Sequence, residues 1–424
     1  MLQINYIRQN TALVKERLAV KHISDGSVID KLLETDELVR KLKTETESLQ
    51  AGINAASKEI GILMGKGEKE AAENKKNDIA GQKNSLQQLT QQLTDAERSL
   101  YEGLVLLPNL PHSSVPEGKT PEENEVVREG GTKPMLPASA LPHWELIKKF
   151  DIVDFETGSK ITGRGFPLFK GQGARLQRAL IQYFLDYNTM AGYTEYSPPL
   201  MVNEASAYGT GQLPDKEGQM YHITADGFYM IPTAEVPLTN IYRDEILKDI
   251  DLPVKMTGYT PCFRREAGSF GADVRGLNRV HQFDKVEIVQ IVHPDKSYEA
   301  LEEMVEHIEK LLLSLELPYR ILRLCGGDMS FASALTYDFE VYSAAQQKWL
   351  EVSSVSNFES FQANRLKLRF RGSDGKSQIA HTLNGSSLAL PRIIACLLEN
   401  HQHEDVIYLP KCIHPYFANT KITM

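Results

Sequence analysis

Between positions 42 and 63, apolar or small residues recur at Leu42, Thr46, Leu49, Ile53, Ala56, Ile60 and Leu63, in steps that alternate four and three. That spacing is a heptad seam, the stripe that one helix turns toward another. It stops over "GKGEKEAAENKKN" and resumes at Ile79, Gln82, Leu86, Leu89, Leu93, Ala96 and Leu100. Two seams of similar length joined by a polar stretch predict an antiparallel helical hairpin. Gly65 and Gly67 are expected to end the first helix and the polar tract to form the tip. A helix of ~30 residues would run ~45 Å. Lysines at the tip (Lys66, Lys69, Lys75, Lys76) interleave with Glu68, Glu70 and Glu73, so charge does not say what the tip meets. The seam alone fits a self-associating coiled coil as well as an arm that reaches a large partner.

The pattern changes at "LLPNLPHSSVPEGKTPEENE", residues 106–125, where four prolines cannot continue a helix. A boundary there gives a helical arm over residues 1–105 and a second domain over 106–424. In the second domain, helical stretches such as "ARLQRALIQYFLDYNT" and "SYEALEEMVEHIEKLLLSL" are outnumbered by β-rich runs: "FYMIP", "VKMTGYTPCF", "DKVEIVQIV", "YRILRL", "TYDFEVYS" and "KWLEVSSVS". The strands come in neighbouring groups without a helix between each. That favours an α+β domain with a mixed or antiparallel sheet over a doubly wound parallel one.

With 42% hydrophobic and 24% charged residues, the chain has the make-up of a soluble protein with a large core. A formal charge of −9 argues against a dedicated nucleic-acid binder but not against a local basic patch. No two of Cys262, Cys325, Cys396 and Cys412 stand at CxxC spacing, so neither a zinc site nor a redox pair is indicated. Scattered thiols without a secretory leader suit a cytoplasmic protein, and no apolar run is long enough to span a membrane. Neither GxxxxGK[ST] nor GxGxxG occurs, so a nucleotide would have to be held without a P-loop or Rossmann turn.

Side chains would then have to grip the phosphates, and "FRREAGSF", residues 263–270, offers them. A guanidinium donates two parallel hydrogen bonds to a phosphate. If the strand continues, Arg264 and Arg265 point to opposite faces and Glu266 returns to the face of Arg264. An arginine and a carboxylate on one face can hold an α-phosphate and a base edge together. An isolated RRE would more simply be a surface ion cluster. Here, however, Gly268, Gly271 and Gly276 suggest a hairpin, and the strand "HQFDKVEIV" follows.

Strand, loop and strand with an arginine at the start resemble the second signature motif of class II aminoacyl-tRNA synthetases. "LQRALIQYFLDYNTMAGYTEYSPPLMVN", with Pro198 and Pro199, resembles the first, and "HTLNGSSLALPRIIACLLEN", with Arg392, the third. "GTGQLP", "IPTAEVPLTN", "TPCFRREAGS", "RVHQFDKVEIVQIV", "EVSSVSNFESFQANR" and "HTLNGS" narrow the likeness to the bacterial seryl-tRNA synthetases, over essentially the whole chain. The third motif departs from the usual NGSG by reading NGSS, and Pro391 precedes Arg392. Proline is acceptable in a first helical turn, so an intact site is expected.

The resemblance implies a homodimer with an antiparallel sheet flanked by helices. It implies activation of L-serine by ATP, with Mg2+, and transfer to the 3′-terminal adenosine of tRNA(Ser), gripped by the arm; service of selenocysteine tRNA is left open. By the same resemblance Arg264 holds the α-phosphate and Arg392 the γ-phosphate, and these two are the catalytic pair. Glu266 contacts adenine, Phe283 stacks on it, and Val280 adds a backbone contact. Arg265, Val352 and Ser353 complete the ATP set together with Glu351 and Ser354, which hold magnesium and phosphate. Thr233, Ala234 and Glu235 bind the serine ammonium. Glu287 accepts the serine hydroxyl, Asn384 and Ser386 line the same pocket, and Arg264 borders it. His281, Asp328 and Asp338 are left as structural. Two other readings compete: a synthetase-like paralogue that activates an amino acid without charging tRNA, and a coiled-coil scaffold with a decayed catalytic domain.

Overall fold

The computed structural model describes residues 1–215, 217–266 and 275–424. Packing divides the chain into two units, one of Met1–Ala19 with Ile23–Pro108, the other of Val20–His22 with Asn109–Met424.

The first unit is dominated by two helices, α1 (Ser27–Gly65) and α2 (Lys69–Val105). At 39 and 37 residues, they exceed the length expected from the seams and run roughly 58 and 55 Å. Their partners are each other. Leu42 and Ile53 of α1 are buried, as are Ile79, Ala96 and Leu100 of α2. Thr46, Leu49, Ala56, Ile60 and Leu63 are half-buried, so every seam position of α1 faces inward. Gln82 departs from the pattern: it is exposed. An amide without a partner in an apolar seam would lose its bonds to water, and the seam passes it by. The tip is also shorter than expected. Only Lys66–Glu68 separate the helices; Gly67 takes φ +82, and α2 begins at Lys69, which buries Ala72. At the other end Gly103 leaves room for Leu32, whose methyl would lie 2.6 Å from a Cβ there.

The second unit opens with residues 109–124, a proline-rich strap on the body. Asn109 is buried, and its amide donates to the Phe358 carbonyl at 2.8 Å. An eight-stranded sheet follows, made of β1 (Glu125–Gly130), β2 (Thr194–Glu195), β3 (Val254–Phe263), β4 (Gln282–Val292), β5 (Tyr319–Arg323), β6 (Leu335–Ser343), β7 (Lys348–Asn357) and β8 (His381–Ala389). Its order is β1-β5-β6-β7-β8-β4-β3-β2, antiparallel throughout except for the short parallel edge β2. One face is covered by the apolar sides of α3 (His143–Lys149), α4 (Gly171–Met190), α5 (Ser297–Ser314) and α6 (Leu390–Asn400). On β4, Val286 and Ile288 enter this core. The alternate residues Phe283, Lys285 and Glu287 face the other way and line a cavity. Period two thus assigns one face of the central strands to stability and the other to chemistry. Among the described residues, no helix is long and apolar enough to cross a membrane.

Candidate active site

The cavity, about 550 Å³, lies on the face of the sheet opposite the helices. Its floor is β4, β8 and β7. Two bulges decide which side chains reach it. In β8, Ser386 pairs with Glu287 but Ala389 with Lys285, so β8 carries one extra residue there. In β7, Ser353 pairs with Phe339 but Glu351 with Glu340. The second bulge brings Glu351 to the face of Ser354, which simple alternation would forbid.

One end of the cavity is a buried polar cage. Glu287 has no exposed surface; Thr233 Oγ1 donates to its Oε2 and Asn384 Nδ2 to its Oε1, both at 3.1 Å. Lys285 Nζ lies 2.6 Å from Oε2. Glu235 is buried beside it and accepts from Gln362 Nε2 at 2.6 Å. Burial and then the Glu287 charge push the Glu235 carboxyl up to about 7. Two carboxylates and one ammonium leave this end short of positive charge. It suits a small ligand carrying its own ammonium and a hydrogen-bonding group.

The other end carries guanidinium groups. Arg264 Nε donates to the Pro232 carbonyl at 3.4 Å, and its guanidinium lies 5.4 Å over the Phe283 ring. Arg392, in the first turn of α6, is held by two carbonyls: Nε donates to Asn278 at 2.9 Å and Nη1 to Glu351 at 2.7 Å. Pro391 fits this turn, where no backbone donor is needed. Ser387, where NGSG would have glycine, donates to Asn188 Oδ1 at 2.9 Å. The third-motif departures therefore leave the site built. Glu266 meets Arg279 Nη1 at 3.0 Å. It does line the cavity with Arg264, but not through strand alternation. β3 ends at Phe263, and a left-handed φ of +47 turns Glu266 inward.

Of the residues singled out in the sequence, Thr233, Glu235, Arg264, Glu266, Val280, Phe283, Glu287, Glu351–Ser354, Asn384, Ser386 and Arg392 all border this one cavity. Two do not. Arg265 points away, with its guanidinium 6.0 Å from the Tyr221 ring, because the strand has ended and its backbone N–H is tied to Gln219. Ala234 is buried in an apolar cluster with Leu238 and Met256, so its methyl cannot meet a ligand. Gly268 and Gly271 of the expected hairpin lie outside the described residues. His281 bonds Tyr221 and stacks on Phe166, a structural placement. Asp338 pairs with Ser354 across β6 and β7; among the described residues its Oδ1 has no hydrogen-bond partner, and burial and the Glu351 charge raise its carboxyl well above the usual range. Lys285, Asn278 and Gln362 also belong to the site or its support and were missed. Lys285 stands two residues before Glu287 on a strand, the one signal that could have found it.

Glu351, Ser354 and the neighbouring Asp338 offer hard oxygen donors on one face. Among the described residues no cluster of three His, Cys, Asp or Glu could hold a metal ion alone. That donor set fits a cation that keeps its waters and takes the rest of its oxygens from substrate phosphates.

Comparison with known proteins bears on both units. The family model described as seryl-tRNA synthetase N-terminal domain matches residues 1–111. The model described as tRNA synthetase class II core domain (G, H, P, S and T) matches residues 221–401. The serine–tRNA ligase of Salinibacter ruber is 50% identical, covering 100% of this chain and 99% of its own. That of Methylacidiphilum infernorum is 47% identical, with 98% and 99% covered. The crystal structure of the seryl-tRNA synthetase of Pyrococcus horikoshii complexed with ATP superposes with a TM-score of 0.93 at 33% identity, covering 100% of this chain and 99% of that one.

Proposed function

The chain belongs to the seryl-tRNA synthetase family, and we propose from that membership how its cavity carries out serine activation and where the products go. It ligates serine to tRNA at the expense of ATP. The rival readings fail on the same ground: the relatives match across the arm as well as the core, and the polar residues of the cavity are in place.

One observation carries the site assignment: a single cavity joins a carboxylate-rich cage at one end to Arg264 and Arg392 at the other. Serine fits the cage with its ammonium at Glu235 and Thr233 and its hydroxyl donating to Glu287. A molecule without the hydroxyl would strand the Glu287 acceptor, which is how such a site rejects a near-isostere. The serine carboxylate then faces Arg264. ATP enters with adenine stacked on Phe283 and near Glu266, its α-phosphate at Arg264 and its triphosphate extended toward Arg392. The carboxylate oxygen attacks the α-phosphorus, and pyrophosphate leaves. No side chain forms a covalent bond to substrate. The residues hold reactants in line and place guanidinium charge where charge develops. When bound, a magnesium ion held by Glu351 and Ser354 would neutralise phosphate charge. Asp338 supports those two from behind. In the second step the 3′-terminal adenosine of tRNA(Ser) takes the seryl group, with the helical arm of residues 1–105 holding the tRNA and 106–424 doing the chemistry. A cytoplasmic homodimer, with the helix α4 and the segment ending at Pro198 and Pro199 at its two-fold axis, completes the reading.

Serine-dependent ATP–pyrophosphate exchange across a panel of amino acids tests it, followed by charging of serine tRNA. Exchange is expected with serine and at least ~10³-fold weaker with alanine. Equal exchange with the two would overturn the cage assignment. Glu287→Gln should raise the KM for serine and leave that for ATP unchanged.

A further inference from the structure

Away from the cavity, a buried ionisable pair has no task in the chemistry above. His143 opens α3 and Glu399 lies near the end of α6; both side chains are 0% exposed, with Nδ1 2.8 Å from Oε1. The backbone N–H of Leu277 donates to His143 Nε2 at 2.9 Å. An N–H can donate only to an unprotonated ring nitrogen, so the proton sits on Nδ1 and is donated to Glu399. The carboxylate is fully engaged. Oε1 also accepts from the His143 backbone and from Gln346 Nε2, each at 2.8 Å, and the Ser343 hydroxyl donates to Oε2. Burial alone would raise the Glu399 carboxyl, but the bonds from His143 and Ser343 hold it below its usual range.

Two chains of hydrogen bonds leave this carboxylate for two adjacent residues, Leu277 and Asn278. One passes through the imidazole to the backbone of Leu277. The other passes through Gln346, whose Oε1 accepts from Asn278 Nδ2 at 3.0 Å. The Asn278 carbonyl then accepts from Arg392 Nε at 2.9 Å. Asn278 and Arg392 both border the cavity. The neighbouring residues are fitted to the same contact. Gly276 takes φ +66, and a Cβ there would lie 2.4 Å from His143 Nε2. The Arg275 guanidinium lies 4.8 Å over the ring of Trp144.

We propose that His143, with Glu399 and Gln346 behind it, is a positioning residue for ATP: it fixes Leu277 and Asn278 so that the Asn278 carbonyl aims the Arg392 guanidinium at the triphosphate. The ring makes no contact with substrate. Its effect reaches the ATP end of the cavity and not the serine cage, which is built on β4, β8 and residues 233–235 and, among the described residues, shares no hydrogen bond with these residues. A pair serving only to pin α3 to α6 would alter stability without distinguishing the two substrates.

The inference rests on the reading of the cavity as an ATP site, and wild-type exchange tests that reading by itself. The experiment measures KM for ATP and for serine by pyrophosphate exchange in the full chain carrying His143→Leu, His143→Gln or Gln346→Leu, with thermal unfolding alongside. His143→Leu and Gln346→Leu should raise the KM for ATP roughly three- to tenfold, the worth of one or two lost hydrogen bonds, and leave that for serine within about twofold. Glutamine at 143 carries an amide oxygen able to accept from Leu277 and should recover at least half of the loss. Unchanged KM values, or equal rises for both substrates, would overturn the proposal, as would a glutamine variant no better than leucine. If His143→Leu does not fold, Gln346→Leu in the half-buried turn decides alone: an ATP-selective rise supports the positioning role and its absence ends it.

Discussion

Lys285 Nζ lies 2.6 Å from Glu287 Oε2, with both side chains almost wholly removed from solvent and two residues apart on the cavity face of β4. The ammonium lies beside the oxygen that also accepts from Thr233, within the cage proposed to hold serine. The same ammonium opposes the upward push on Glu235. Lys285→Met fills similar volume and strips the charge. It should raise the KM for serine at least tenfold, leave the KM for ATP nearly unchanged, and lower stability by about 3 kcal/mol, because one buried charge loses its partner. Steady-state exchange and urea unfolding measure both. A variant as good with serine as the parent would remove Lys285 from the cage.

Glu235 supplies the pH dependence. Burial, and after it the Glu287 charge, push its carboxyl up to about 7, and only the carboxylate can hold an ammonium. The kcat/KM for serine should therefore fall about tenfold per unit as pH drops below about 7 and level off above it. Stability of the serine-free protein runs the other way. The folded state keeps this proton up to about 7, whereas the unfolded chain releases it near 4.5. The contribution is full below 4.5 and is lost as pH rises through that window, by something on the order of 3 kcal/mol. Glu235→Gln should abolish the step in both profiles and bind serine poorly. A serine profile flat from pH 5.5 to 8.5 in the parent would refute the assignment.

The two arginines should fail differently. Arg264 approaches the cavity from the end of β3 and should contact the reacting phosphate, so Arg264→Ala should cut exchange by ~10²–10³ with the fold intact. Arg392 is braced by two carbonyls through different nitrogens. Lysine has no fork to span them, so Arg392→Lys should raise the KM for ATP by an order of magnitude or more despite keeping the charge. Near-normal ATP use by Arg392→Lys would mean that charge alone suffices there.

Glu351, half-exposed and 3.5 Å from Arg392, is the carboxylate that substrate-borne magnesium should meet. Glu351→Gln should increase the magnesium needed for half-maximal exchange about tenfold or more, since a charged oxygen ligand becomes a neutral one. It should also relieve Asp338 of a neighbouring charge that helps raise its carboxyl. A magnesium titration of parent and variant reads this directly; superimposable curves would take Glu351 out of the metal site.

Much of this was legible because strands and heptads are periodic. The stripe on α1 and the run that forms β3 follow from spacing, whereas the β8-to-α6 junction was expected from the resemblance to the third motif. What was not legible depended on departures from period. Glu351 reaches Ser354's face only because β7 bulges, and Glu266 turns inward through a left-handed backbone that no strand reading predicts. Arg265 and Ala234, carried by the resemblance, do not border the cavity although Arg264 and Thr233 do, because neighbours on a chain point apart. The polar tip was overestimated because alanines within it extend α2. His143 sits more than a hundred residues from the segment it holds, with no local pattern to betray it.

The arm can be tested by removal. Its two helices bury their apolar stripes against each other, with Leu42 and Ile53 on one and Ile79, Ala96 and Leu100 on the other. The residues at its base, including Ile29, Leu32, Leu104 and Val105, are buried as well and lie outside the stretch 35–97. Replacing 35–97 by a short glycine-rich turn therefore removes two mutually satisfied stripes and keeps the base. All residues assigned to ATP and serine lie beyond position 230, so pyrophosphate exchange should stay within about threefold of the full chain. Charging of serine tRNA should fall by at least ~10²-fold, because a rod of this length can recognise an RNA arm through shape and backbone contacts that the cavity cannot replace. Acid and base are nearly balanced on the arm, so few phosphates are met and the salt dependence of charging in the parent should be moderate. Equal loss of exchange and charging would mean that the arm supports the fold. Unimpaired charging would mean that tRNA is held elsewhere.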